Sequence, residues 1–153
     1  MSTYFVEVIL KKQYRDRHGE HVRQDALEAG VKQVRNVTAA PLYRFEGGLQ
    51  ESAVRLIAER LLVDPITEEY RLHAGSLPAR AGKKSVQVWL KPGVTDTVAE
   101  SVAKAIRDLG VTQDVTIKTG HLFSFEGALG MPALRTLVER LLVNTIVQEY
   151  TVH

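Results

Sequence analysis

The sequence contains no cysteine and no run of about 18 apolar residues, the length that a membrane-spanning helix needs. The lack of cysteine excludes a disulfide, a thiolate nucleophile and a cysteine-ligated metal. Because the opening residues also carry no basic stretch, we expect neither a signal peptide nor a membrane span. The sequence therefore predicts a cytoplasmic protein that makes no contact with a membrane.

The sequence also lacks a large excess of either charge, because it has 20 lysine and arginine residues and 18 aspartate and glutamate residues. The formal net charge of +2 predicts no nucleic-acid binding, which depends on a concentrated basic face. A chain of 153 residues is long enough for a sizeable core, whereas a module of about 70 residues has a marginal core alone. If the chain consists of two such modules, we expect them to pack on each other.

What the sequence does contain is an internal repeat. Residues 4–73, the first repeat, align without a gap with residues 84–153, the second repeat, and 26 of the 70 aligned pairs are identical. Unrelated segments would not keep one register through every loop, so a single module is present twice. We predict one module over 1–73, a linker over 74–83 and a second module over 84–153.

Hydrophobic periodicity predicts strand, helix, strand, helix and strand in each module. The central stretches 34–46 and 115–126 contain Pro41 and Gly120, so each is either one bent strand or a short hairpin. The order is therefore βαβαβ or βαββαβ. The predicted fold is α+β, a two-layer sandwich with helices on one side of the sheet and pseudo-twofold symmetry between the modules.

Two details of the first strand and helix can be predicted from the pattern. Ile9 and Trp89 occupy equivalent positions on the face opposite the core, which favours a second packed surface there. Thr97 and Glu100 have the spacing of a capping box, so we expect Thr97 to cap the first helix of the second repeat.

Residues that could carry chemistry are few. His18 and His21 have a spacing that could hold a metal, but a third ligand is not apparent and the second repeat lacks both histidines. The basic run from Lys11 to Arg23 suggests a phosphate site only weakly, because no glycine-rich phosphate loop accompanies it. No catalytic triad, carboxylate pair or metal cluster can be assembled. We therefore predict no catalytic residue, metal or cofactor, and no autonomous enzyme.

The second helix of each module carries the same charged pattern. One interpretation is a solvated helix face with Arg–Glu pairs at a spacing of four, each contributing a few tenths of a kcal/mol. The other is a recognition surface for a partner protein. The residues in question are Arg55, Glu59 and Arg60 in the first repeat, and Arg135, Glu139 and Arg140 in the second.

The closing stretches 61–70 and 141–150 resemble the C-terminal signature of the PurS family, the small subunit of phosphoribosylformylglycinamidine (FGAM) synthase. Residues 88–96 are similar to the opening of that family, and Lys118-Thr119-Gly120-His121 stands where the family shows basic residues around a glycine. The first repeat departs from the family at 12–14 and at 39–41. Family members are usually single modules that dimerise, so the resemblance implies a covalent PurS dimer.

The resemblance further implies a non-catalytic subunit of an ATP-dependent glutamine amidotransferase complex. Such a subunit joins the synthetase and glutaminase subunits, so that ammonia from glutamine reaches formylglycinamide ribonucleotide in purine biosynthesis. Stoichiometry and further self-association of the tandem chains stay open. The candidate partner-interface residues are Ile9, Arg55, Glu59, Arg60, Trp89, Lys91, Lys118, His121, Arg135, Glu139 and Arg140.

A different class of function is compatible with the same two modules. The alternative is a small-molecule-sensing regulatory protein that binds a ligand at the boundary between the modules. A sensor of this kind would show a higher melting temperature with its ligand and would need no large partner. An enzyme is a third hypothesis, but it would require a composite site that the sequence does not show.

Overall fold

Each repeat contributes three strands and two helices, in the order βαβαβ. The computed structural model describes residues 2–80 and 82–153. The second helix of each repeat ends in a π-helical segment, where the backbone hydrogen bond spans five residues. The elements are β1 (Ser2–Leu10), α1 (Arg17–Glu28), β2 (Val34–Gly47), α2 (Glu51–Ile57, then π-helical Ala58–Leu62), β3 (Glu68–Ala74), β4 (Lys84–Leu90), α3 (Thr97–Asp108), β5 (Val115–Gly127), α4 (Met131–Leu137, then π-helical Val138–Leu142) and β6 (Gln148–Val152).

All six strands form one antiparallel sheet in the order β3-β1-β2-β5-β4-β6. The central stretches are single continuous strands, β2 and β5, and they pair with each other along almost their whole length. Pro41 lies opposite His121 in this pairing, and these residues occupy equivalent positions in the two repeats. The pseudo-twofold axis therefore passes between them. The predicted α+β fold with two related modules is confirmed.

The two hydrophobic cores on the helix side of the sheet each draw residues from both repeats. Val22 and Ala26 of α1 pack in a cluster with the second repeat, whose members there include Val86, Val88, Phe123, Leu134 and Leu137. Ile106 of α3 packs in turn with the first repeat, through Val6, Val8, Phe45, Val54 and Ile57. Because each first helix completes the core beneath the other repeat, neither repeat has a complete core of its own.

The predicted capping box at Thr97 is wrong. Asp96 caps α3 instead, since its Oδ1 accepts a hydrogen bond from the Ala99 amide at 2.9 Å, and its Oδ2 accepts one from the Thr119 amide of β5 at 3.0 Å. Asp16 does the same for α1, accepting from the Gly19 amide at 2.8 Å and from an amide of β2. The two carboxylate oxygens let the aspartate bind the third amide of the helix and also tie the helix start to the central strand.

The two faces of the sheet differ in what covers them. Helices cover one face, and the segment 74–83, called the connecting segment below, contributes Leu77 and Arg80 to the other, which we call the open face. In the part of the chain that the structure describes, none of the helices has the length and hydropathy required to cross a bilayer.

Candidate partner interface

A tyrosine–glutamate hydrogen bond joins the second helix to the last strand of each repeat. The Tyr70 hydroxyl donates to Glu59 Oε1 at 2.9 Å, and the Tyr150 hydroxyl donates to Glu139 Oε1 at 2.7 Å. The hydrogen bond to Glu139 raises the pKa of Tyr150. The glutamate and tyrosine that are repeated in both copies are thus structural partners that hold the final strand against the helix end.

In the described part of the chain, the arginine four positions before each of these glutamates does not pair with it. Among the described residues, Arg55 pairs with Glu51, at 3.5 Å from Nε to Oε2, rather than with Glu59, which is occupied by the tyrosine. A hydrogen bond with Tyr70 raises the pKa of Arg55. Arg60 and Arg140 are exposed at equivalent positions in the final helical turns, where both charges are available to a partner.

The turn between the second helix and the last strand holds an isoleucine out in solvent in both repeats. The Asp64 amide donates to Glu68 Oε1 at 2.8 Å, and the Ile66 amide donates to Asp64 Oδ1 at 2.9 Å. The second repeat forms both bonds around Asn144. Ile66 remains 71% exposed and Ile146 remains 81% exposed. The predicted interface residues do not include these isoleucines. The sequence did contain a signal for them, because both repeats keep an isoleucine within an otherwise polar turn.

Trp89 is buried against the first repeat. Its ring lies 6.2 Å from that of Phe5, and the Arg44 guanidinium lies 5.7 Å from its centre. A Cβ added at Gly120 would lie 2.8 Å from the indole ring, so the glycine leaves space for the ring on this face of the sheet. The prediction of a second packed surface on this face fits Trp89, whereas Ile9 is half-buried.

The remaining candidates lie near the middle of the sheet. Lys118 is opposite Arg44 in the pairing of the central strands, and it is half-buried, as is Lys91 at the end of β4. His121 stacks on Phe123 at 5.9 Å and meets the edge of His18 at 5.4 Å. Burial lowers the pKa of His121, and the nearby His18 lowers it further. The candidate residues therefore form no single patch.

A buried carboxylate anchors the connecting segment. Glu7 is only 1% exposed; it accepts hydrogen bonds from the Arg80 guanidinium and lies 3.3 Å from His73 Nε2. Leu77 packs beside this pair against the cluster around Trp89. No local pattern in the sequence identifies the Glu7–Arg80 pair, because its members are 73 positions apart.

Among the described residues, the side chains able to do chemistry do not converge on one site. His18 packs on His121, while His21 Nε2 lies 3.4 Å from Asp25 on its own helix, so the two histidines of α1 have different neighbours. Within residues 2–80 and 82–153, no group of three histidine, aspartate or glutamate residues is placed to bind a metal. What the geometry offers is a rigid pseudo-symmetric sheet with matched groups displayed at equivalent positions.

Comparison with known families matches this duplicated architecture. The sequence model of one family, described as PurS, phosphoribosylformylglycinamidine (FGAM) synthase, matches residues 3–75 and matches again over residues 83–153. The chain belongs to the PurS family. Its two PurS repeats confirm the tandem duplication predicted from the sequence. No curated protein matches the chain at a significant level.

Membership of the PurS family gives the chain a coarse function. PurS is a non-catalytic subunit of FGAM synthase, so the chain is a small subunit of that synthase in purine biosynthesis. The family also implies association with the other FGAM synthase subunits. The PurS signature at 61–70 and 141–150 corresponds to the helix end, the polar turn and the tyrosine strand of each repeat.

Proposed function

We propose that this chain is a covalent PurS pair that joins the synthetase and glutaminase subunits of an ATP-dependent glutamine amidotransferase. Its role is to hold them so that ammonia released from glutamine reaches formylglycinamide ribonucleotide without escaping. The modules are 1–73 and 84–153, with 74–83 as their covalent connection, and the complex works in the cytoplasm. The observation that carries the proposal is the double PurS match on one continuous pseudo-symmetric sheet.

The shared cores favour a single bridge between two partner proteins over an arrangement in which each repeat binds its partner independently. A bridge must transmit a defined distance between the proteins that it joins, and two modules on a flexible tether would not. Here the β2–β5 pairing and the exchange of α1 and α3 make the two ends one rigid unit. Covalent connection also makes the pairing intramolecular, with an effective concentration near millimolar for a short tether.

The interface has two matched ends and an open face. One end carries Arg55, Glu59 and Arg60, and the pseudo-twofold axis generates the other with Arg135, Glu139 and Arg140. The open face carries Ile9 and Lys118, with Lys91 near them. Trp89 is buried in this face, and His121 lies on the opposite face beside His18 of α1. We propose that the two charged ends contact different partner subunits, because fusion lets equivalent surfaces diverge.

A reconstituted synthase tests this role. We expect FGAM formation from glutamine to depend on the chain, whereas formation from a high concentration of ammonium salt should proceed without it, since free ammonia needs no bridge. Arg140→Glu should reduce the glutamine-dependent rate, and Lys104→Glu, a reversal on the exposed side of α3, serves as the control. Equal dependence of both reactions on the chain, or of neither, contradicts the bridging role.

The small-molecule-sensing alternative predicts a different result. A sensor would bind its ligand at the boundary of the repeats and would act without the synthetase or glutaminase subunit. Glutamine-dependent activity that is indifferent to the chain, together with a ligand-induced rise in melting temperature, would favour that alternative.

A further inference from the structure

A cleft of about 500 Å³ opens where β1 ends, and seven lysines and arginines are among the residues that line it. Its walls are the loop after β1, the middle of β2, the strand β3 and the connecting segment. The loop supplies Lys11, Lys12, Arg15 and Arg17. Arg71, Arg80 and Lys83 reach the cleft from the other walls. We call this the basic cleft.

The acidic side chains in the basic cleft are already committed to internal partners. Three line it, against seven lysines and arginines, so its formal charge is +4 while that of the whole chain is +2. Glu7 is held by Arg80, and Asp16 accepts from two backbone amides. Glu68 accepts from the Asp64 amide. Glu7 therefore neutralises Arg80, whereas Asp16 and Glu68 bind backbone amides and pair with none of the cations of the cleft.

Four of the seven cations, by contrast, have no acidic partner among the residues that the structure describes. Arg15 pairs with Glu20 at 2.8 Å, and Lys83 pairs with Glu126 at 3.2 Å. Lys12, Arg17 and Arg71 form no ion pair with any of the described residues, and Lys11 donates only to a backbone carbonyl. These uncommitted donors line one concave space, so an anion that enters it meets positive charges that have no internal partner.

The second repeat provides an internal comparison. A cleft of about 350 Å³ lies at the equivalent place, and its lining includes Val88, Leu90, Thr119 and Gln148. The apolar members are shared, since Val8 and Leu10 are the counterparts of Val88 and Leu90. Four of the basic members are not shared, because Lys12, Arg15, Arg17 and Arg71 correspond to Pro92, Thr95, Thr97 and Thr151, whereas Lys11 corresponds to Lys91. The same fold thus forms without these charges, so they are not needed to build the cleft.

We propose that the basic cleft binds the phosphate group of a small metabolite. Arginine and lysine provide the charge-assisted donors that phosphate oxygens accept, and the volume is that of a small-molecule site. A concave space bounded by the connecting segment fits a compact anion better than an extended polymer. The proposal is independent of the bridging function, because the isolated chain has every residue of the site.

Calorimetric titration of the full chain tests the proposal with five probes: inorganic phosphate, pyrophosphate, ribose 5-phosphate, AMP and ATP. We expect one site per chain for at least one probe, with an affinity that falls as salt rises. Binding by inorganic phosphate or pyrophosphate alone would identify a free phosphate site, and tighter binding of ribose 5-phosphate or a nucleotide would identify the metabolite class.

The matched variant is the double substitution Arg17→Thr and Arg71→Thr, which installs the residues of the second repeat. Both side chains are exposed, so the variant should melt within a few degrees of the parent. Its affinity for the same probe should be lower by a factor of about ten or more. The control is Lys104→Gln, which installs the first-repeat residue at an exposed lysine of α3. Binding that the double variant leaves unchanged overturns the proposal.

Two further outcomes also overturn it. One is that no probe binds more tightly than sulfate at equal ionic strength. The other is that only polymers such as poly-aspartate or single-stranded DNA bind, because the basic cleft would then be a general polyanion surface rather than a metabolite site.

Discussion

Pro41 faces His121 across the β2–β5 ladder, and the two residues are each other's counterparts in the repeat. This pairing puts the symmetry axis inside the sheet rather than at a surface between two finished domains. Since α1 and α3 each pack over the other repeat, the chain should behave as a single cooperative unit.

Cooperativity can be measured with the single tryptophan, Trp89, which belongs to the second repeat. Val22→Ala in α1 of the first repeat should reduce the free energy of unfolding by about 2 kcal/mol, because it removes methyl groups from a core shared with the second repeat. Denaturant unfolding followed by tryptophan fluorescence and by circular dichroism should shift by the same amount. A shift in circular dichroism alone would mean that the repeats unfold separately.

Gly127 and Gly47 end the central strands in a conformation that only glycine adopts easily. At Gly127, with φ of 137°, an added Cβ would lie 1.9 Å from the Gln33 carbonyl oxygen. Gly127→Ala should therefore destabilise the chain by about 3 kcal/mol or more, through a backbone clash as well as strain.

The control for this glycine is Gly110, which has φ of 89° but nothing within 4 Å of an added Cβ. Gly110→Ala should cost about 1 kcal/mol, from backbone strain alone. Urea unfolding of both variants measures the difference. Equal losses would show that the close approach between Gly127 and the loop before β2 does not contribute.

Substitutions at Asp96, the observed cap of α3, and at Thr97, the predicted cap, distinguish the two. Asp96→Ala removes the cap of α3 and leaves the Thr119 amide without its partner, so it should destabilise the chain by about 2 kcal/mol. Thr97→Ala should change the stability by less than about 0.5 kcal/mol, because Thr97 is exposed in the first turn. Thermal unfolding of the two variants distinguishes these expectations, and a reversed order would restore the capping box.

His121 makes stability depend on pH. Its pKa in the folded chain lies below the ordinary value of 6.5, because burial and then the nearby His18 disfavour its charged form. Above pH 6.5 the residue is neutral in both states and costs nothing. As the pH falls below 6.5, the unfolded chain binds the proton first, so stability declines until the folded pKa is passed.

The variant His121→Gln removes this titration while keeping a polar side chain. We expect the parent to lose more stability than the variant between pH 7 and pH 5, as measured by urea unfolding at each pH. Parallel losses in the two proteins would assign the acid sensitivity to other groups.

Much of the fold follows from patterns that are local or repeated. Alternation at Val86 and Val88 predicts a strand, and the 80-residue period predicts the pseudo-twofold axis. The period does not show which strands pair across that axis, because the partner edge is chosen by tertiary packing. The β2–β5 ladder and the exchange of α1 and α3 were therefore beyond the sequence analysis.

The candidate interface was predictable only in part. The repetition of Glu59 and Tyr70 in the second repeat indicated a constrained region. It did not show that the two side chains form a hydrogen bond with each other. Spacing alone did not distinguish Asp96 from Thr97 as a cap, since both are good capping residues one position apart. Four cations of the basic cleft lie in the basic run of the sequence, but Arg71, Arg80 and Lys83 join them only in the folded chain.

The most direct test of the central claim is the mass of the complex by light scattering, with purified synthetase and glutaminase subunits. A covalent PurS pair should enter the complex in whole units of 17.1 kDa, each supplying two repeats, in the presence of nucleotide and glutamine. Glutamine-dependent FGAM formation by the same mixture should rise with the amount of chain incorporated. If the chain stays outside the complex under every nucleotide and glutamine condition, it does not act as the bridge between these subunits.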